Sequence, residues 1–197
     1  MVSLVVGAAV CSAEIQPDKL VAAARSQIGV TVSYDPSYRR LTYPGGDVPK
    51  VTGVCADVIV RAYRVQGIDL QKEIHEDMLK DFAAYPRKWG LSKPDENIDH
   101  RRVPNLMTYF QRKGYAQPID RKAEHYAAGD IVAWDLGGGI THIGIISDRC
   151  SRNGAPLVIH NIGGGVQEEN ILFEFQIIGH YRLKVSPPIS NRTDRSG

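Results

Sequence analysis

Three residues offer the clearest chemistry in this sequence: Cys55 in VTGVCADVIV, His142 in THIGIISD and His160 in PLVIHNI. A thiol nucleophile needs a base to accept its proton and a third group to hold that base in the useful tautomer. The two histidines supply both roles if their segments are paired strands. Cys55 lies where a glycine-bearing turn gives way to Val58, Ile59, Ala62 and Val65 at helical spacing, with Gly67 ending the run. It therefore falls in a first helical turn, with Thr52 or Gly53 as cap, where unpaired backbone N–H groups favour a thiolate. A buried structural cysteine fits the same position.

His142 opens its strand and shares a face with Gly144 and Ile146, so a small residue leaves room beside the imidazole. His160 and Asn161 end the next strand and point to opposite faces, so only one of them can orient His142. An antiparallel hairpin brings His142 and His160 together across the pair, which makes His160 the favoured orienter and Asn161 the alternative. Cys150 is eight residues beyond His142, roughly 25 Å along an extended strand. Cys55 thus cannot be both the nucleophile and the disulfide partner of Cys150. With His180 from GHYR, the same histidines could instead form a three-ligand zinc site, but there is no HExxH or CxxC spacing to support one.

Other polar groups allow blander readings. Asp57 stabilises the first helical turn, and His75, Glu76 and Asp77 read as a solvated helix face. Arg101 and Arg102, adjacent in a loop, could receive a substrate carboxylate through bidentate hydrogen bonds, or serve in structural ion pairs. The glycines of DLGGGITH and NIGGGVQ link strands without opening a helix, so they read as turns and not as phosphate cradles.

The elements that must position these groups come in two halves. PDKLVAAARSQIG is an amphipathic helix, followed by a Tyr-, Pro- and Gly-rich loop and the Cys55 helix. Two further helices, DLQKEIHEDMLKDFAAY and VPNLMTYFQRKG, occupy the middle, and DIVAWDL, THIGIISD, PLVIHNI and FQIIGHYRL are strands. Helices first and a meander second imply α+β. At 197 residues, with 24 Lys and Arg against 22 Asp and Glu, one domain is expected, with no electrostatic footprint for nucleic acid.

The opening MVSLVVGAAVCSAEIQ is apolar and then small, which reads residues 1–13 as a signal peptide cleaved before Glu14, although no basic residue precedes Lys19. Elsewhere no stretch approaches the ~18 apolar residues of a membrane span.

The order SQIGV, YPGG, GVCADV, AGDIVAWD, THIGIISD and LVIHN resembles the NlpC-type, papain-like cysteine peptidases of bacterial cell walls. The chain is similar, more closely, to an uncharacterised YijF-like bacterial family through GVCADVIVRAYR, IDLQKEIHEDM, NIDHRRVPNL and GHYR. The peptidase resemblance implies a papain-like α+β domain over residues 14–197, with N-terminal helices packed on a small antiparallel sheet and a helical insertion around 68–126. It assigns a catalytic Cys-His-His triad to Cys55, His142 and His160. It also implies an oxyanion-site tyrosine, with Tyr43 the first candidate and Tyr34 the second, beside the backbone N–H of Cys55. Asn161, Arg101 and Arg102 remain candidates for the substrate side. Val54 and Ala56 stand where that family carries Asp and Ser.

The expectation is therefore a cysteine peptidase or amidase acting on peptidoglycan or a cell-wall peptide, in the periplasm or secreted. It needs no metal or organic cofactor, binds no nucleic acid, and works as a monomer. A cytoplasmic enzyme acting on recycled wall peptides is the second placement. Rival expectations are a non-catalytic envelope binding module of the same fold and a Cys-His acyltransferase.

Overall fold

The structure, a computed structural model, describes residues 15–183. Residues 1–13, expected to be a signal peptide, lie outside the described residues, as does Cys11. Pro17 opens helix α1 (Pro17–Arg25), where the missing N–H of proline costs nothing, and Leu20, Val21 and Ala24 form its buried stripe. The loop that follows contributes the two-residue strand β1 (Ser33–Tyr34), which pairs in parallel with β2 (Thr52–Gly53) just ahead of the Cys55 helix. Because Thr52 and Gly53 are taken up by that strand, the cap of helix α2 (Cys55–Val65) is Val54, one residue later than the pattern suggested.

Helix α3 (Leu70–Lys80) has Asp69 as its N-cap, accepting from Gln71 N–H. It stops at Lys80 instead of running to Tyr85; a short 3-10 turn at Phe82–Ala84 follows, ahead of Pro86. Helix α4 (Val103–Arg112) again begins beside a proline, Pro104.

Strands β3 (Ile131–Asp135), β4 (Thr141–Cys150), β5 (Pro156–His160), β6 (Gln167–Glu169) and β7 (Gln176–Tyr181) form one antiparallel sheet in the order β6-β5-β4-β3-β7. Alternation along β4 divides the core. Ile143 and Ile145, with Ile159 of β5, pack against Val58, Ile59 and Ala62 of α2 and Leu20 and Val21 of α1. On the opposite face Ile146 joins Val132, Trp134, Val158 and Leu172, and the Trp134 indole N–H donates to Leu172 O at 3.0 Å. Each fully buried aliphatic side chain contributes about 1.5–3 kcal/mol relative to exposure, so both faces of the central strands are held.

The fold is thus α+β, with N-terminal helices packed on a small antiparallel sheet. The inserted helices share the larger cluster through Leu70, Ile74, Leu106 and Phe110. None of the described helices is long and apolar enough to cross a membrane.

Candidate active site

The turn that presents Cys55 is clamped from both sides. Within α2, the Asp57 carboxylate accepts the Val54 N–H at 2.6 Å, satisfying one of the donors a helix start leaves open. The same carboxylate receives a two-pronged pair from Arg101, at 2.9 and 3.0 Å. Arg101 also donates to Ser37 O and Asp35 O, binding the insertion and the β1 loop to the cysteine turn. From the sheet, Asn161 donates to Gly53 O at 2.9 Å. Gly53 leaves little space for a side chain, since a Cβ there would stand 3.2 Å from Asp57 Oδ2 and 3.3 Å from Arg61 Nη1.

Cys55 itself is buried, 3% exposed. Its sulfur is faced by the backbone N–H of Ile143 on β4 and by the Tyr34 hydroxyl. Burial pushes the thiol up to about 11, outweighing the Ile143, Ala56 and Cys55 N–H groups that favour the anion. The thiolate expected from a first-turn position is therefore not the resting form. Tyr34, pushed up to about 12 chiefly by burial, stays a phenol and a donor.

His142 stands between Thr141, which lines the cleft beside Cys55, and Ile143, whose N–H faces the sulfur. Its ring stacks against Trp134 with a 28° tilt, centroids 5.7 Å apart. Its Nε2 meets His160 Nδ1 at 3.1 Å, with the two rings edge to face. This contact is diagonal, not directly across: Ile145 pairs with Ile159, which puts Gly144 opposite His160. A Cβ on Gly144 would sit 3.2 Å from the His160 Cβ and 2.6 Å from Val158 Cγ1, so the glycine makes the room that the histidine pair uses.

For His142 to accept a proton at Nδ1, its Nε2–H must donate to His160 Nδ1, which leaves the His160 proton on Nε2. There the Glu169 carboxylate lies 3.1 Å away but out of line for a hydrogen bond, so it offers charge and not a directed bond. Burial pushes His142 down to about 3, with His160 adding to the effect, and pushes His160 down to about 4. Both rings are neutral at pH 7, consistent with one donating to the other.

Cys55 lies in the wall of a cleft of about 410 Å³ shared by Tyr34, Tyr38, Trp89, Arg101, Arg102, Pro104 and Thr141. The inserted segment therefore builds one wall of the cleft. Of the expected site residues, Cys55, Tyr34, Arg101 and Arg102 line this cleft; the His142–His160 pair stacks on the Trp134 face of the sheet, does not line the cleft, and makes no hydrogen bond to Cys55 among the described residues. Tyr43 does not: its Pro-Gly-Gly turn is held to α3 by Asp69 and Gln71, at 2.7 and 2.8 Å, and its ring packs edge-on against His75.

Asn161 is spent on Gly53 O, and Arg101 on Asp57 and two carbonyls, so neither is free to meet substrate. His180 is also engaged elsewhere, through Asp130 Oδ2 at 2.8 Å and Pro118 O at 3.0 Å, on β7, with β4 and β3 between it and β5. The three histidines therefore do not converge on one metal position, and no group of three metal-type ligands occurs among the described residues. The described cysteines, Cys55 and Cys150, are both free thiols. Glu169, beside His160, was not anticipated; it sits on a three-residue strand too short to show a period.

Residues 21–183 match the family described as Domain of unknown function (DUF1287). The chain is 59% identical over 162 residues to the "Uncharacterized protein YijF" of Escherichia coli (strain K12), covering 82% of this chain and 79% of that protein. A solved structure described as similar to lipoprotein, NLP/P60 family, from Staphylococcus aureus subsp. aureus Mu50, superposes with a TM-score of 0.41 and 15% identity over 89% of this chain and 44% of that one.

Proposed function

The chain belongs to the family Domain of unknown function (DUF1287), and from that premise we propose that it is a cysteine-dependent amide hydrolase of cell-wall peptides, acting in the periplasm or outside the cell. The observation that carries the reading is the buried His142–His160 hydrogen bond of 3.1 Å, with Thr141, the residue before His142, lining the cleft that Cys55 also lines. The choice of cell-wall peptides follows the motif resemblance to NlpC-type peptidases.

In this reading Cys55 reacts from its neutral form. Its S–H proton passes to His142 Nδ1 as sulfur bonds to the substrate carbonyl carbon, and the carbonyl oxygen becomes an oxyanion. The Cys55 N–H and the Tyr34 hydroxyl donate to that oxygen, which is the role of an oxyanion site. Tyr34 takes the role first given to Tyr43 because its hydroxyl faces the sulfur. As the intermediate collapses, His142 gives its proton to the leaving amine, and a thioester remains on Cys55. Water, deprotonated by His142, then releases the carboxylic acid and restores the thiol. His160 holds His142 in the tautomer that leaves Nδ1 open.

The test is acid quenching of the protein with isolated stem peptides, followed by intact-mass spectrometry. The expected result is a thioester adduct at Cys55 that is absent in Cys55→Ala and decays to free acid. No adduct on any stem peptide, with no turnover, would remove the hydrolase reading.

Burial of Cys55 supports a second reading, an envelope binding module whose thiol is inert. Binding to sacculi that survives Cys55→Ala, without turnover by the unaltered protein, is its signature.

A further inference from the structure

The two arginines of the cleft differ in one respect. Arg101 is spent: its side chain is 2% exposed and makes four hydrogen bonds, to Asp57 and two backbone carbonyls. Arg102 is not. Its guanidinium carbon lies over the Trp89 ring, 4.1 Å from its centroid, a cation–π contact that anchors the head group. Its one polar partner among the described residues is Asp99 Oδ1, reached by Nη1 at a long 3.5 Å.

Asp99 is 1% exposed, already accepts the Asp95 N–H, and is pushed up to about 6 by its own burial; Asp95 adds a second negative charge near Arg102 without a hydrogen bond to it. Of the residues lining this cleft none is Asp or Glu. A partly desolvated cation with unused N–H donors, in a cleft lined by a nucleophile and by no carboxylate, suits a planar anion.

We infer that Arg102, anchored over Trp89, is a specificity subsite for a free carboxylate on the peptide whose amide reaches Cys55. The inference rests on the hydrolase reading for the identity of the cleft, and names the substrate class within it: an acidic peptide. Stem peptides carry free carboxylates, whereas a peptide with every carboxylate amidated offers Arg102 no charged partner. A directed hydrogen bond to a charged group loses about 10- to 100-fold in affinity when removed.

The experiment uses an isolated stem tetrapeptide and the same peptide with its carboxylates amidated. Binding is read on Cys55→Ala by indole fluorescence, since Trp89 lines the cleft while Trp134 is buried, and turnover is read on the unaltered protein. The free acid is expected to bind and turn over about 10- to 100-fold better than the amide. Arg102→Gln should abolish that preference, and Arg102→Lys, which keeps the charge but loses the fork, should restore it only in part; unchanged melting of both variants confirms folding.

Carboxylate-selective binding without turnover would leave the subsite standing and remove the hydrolase reading. Turnover that ignores amidation, or a preference retained in Arg102→Gln, would remove the subsite and leave the hydrolase. Failure of the free-acid peptide to bind would overturn the subsite.

Discussion

Replacing Gly144 by alanine tests whether the space beside the histidine pair is functional. The new methyl would lie 2.6 Å from Val158 Cγ1, 3.2 Å from the His160 Cβ and 3.2 Å from Ile159 O. Ordinary carbon contacts begin near ~3.5 Å, so about 1 Å must be found. Val158 is stiff at χ1 and fully buried against Ile146 and Trp134, so it cannot swing aside. The displacement therefore falls on the β5 backbone that carries His160. A shift of half that size takes the 3.1 Å His142–His160 contact out of hydrogen-bond range.

Overpacking costs about 1–3 kcal/mol and the lost hydrogen bond about 1 kcal/mol. The reduced freedom of the unfolded chain offsets up to about 1 kcal/mol. The net expectation is a loss of about 1–4 kcal/mol, measured as a lower urea midpoint at unchanged slope. Turnover should fall by about 100-fold, because a displaced base loses its alignment. Val158→Ala removes the closest contact, so adding it to Gly144→Ala should recover most of the turnover lost in the single variant. If Gly144→Ala stays within about 0.5 kcal/mol and within twofold in rate, the glycine is not what lets the two histidines meet.

Three more predictions follow from the same geometry. His142 and His160 are pushed down to about 3 and 4, so their stabilising effect is complete above the ordinary value and is lost as pH falls. The slope approaches about 1.4 kcal/mol per pH unit for each ring below pH ~6.5. Denaturation from pH 7 to 4.5 should show a markedly shallower slope in His160→Asn, whereas an unchanged slope would show that His160 is not held neutral.

Cys55, pushed up to about 11, should be alkylated at a rate that keeps rising beyond pH 9, with stability falling over the same interval because the unfolded thiol ionises first. A rate that levels off below the ~8.5 of a free thiol would contradict this. Finally, Asp57→Asn removes the charged partner of buried Arg101, and a loss of about 3–5 kcal/mol is expected. A loss below about 1 kcal/mol would mean that the clamp on the cysteine turn is not electrostatic.

Much of this arrangement was legible because it depends on local periodicity. The apolar positions after Cys55 specify α2, and alternation along THIGIISD puts His142 and Gly144 on one face, where the glycine does leave room for the second histidine. What was not legible depends on pairing between distant short segments. Tyr34 reaches Cys55 because β1 pairs in parallel with β2, and two-residue strands carry no period. The same pairing moved the α2 cap to Val54.

Asn161 could be placed on the face opposite His160, but its partner, Gly53 O, lies 108 residues away. Arg101 and Arg102 are adjacent and alike in sequence, yet one closes on Asp57 and the other on Trp89, a difference set by how the insertion packs. Helix-start electrostatics suggested a thiolate; tertiary burial decides for the thiol.

The central claim is that Cys55, with His142, hydrolyses an amide in cell-wall peptides. The direct measurement is mass-spectrometric detection of new amine and carboxylate ends released from purified sacculi by the unaltered protein, Cys55→Ala and His142→Ala. The account predicts matched new ends with the unaltered protein, none with Cys55→Ala, and a rate lower by about 10²- to 10⁴-fold with His142→Ala. Equal release by Cys55→Ala, or sacculi bound but left intact by the unaltered protein, would contradict it.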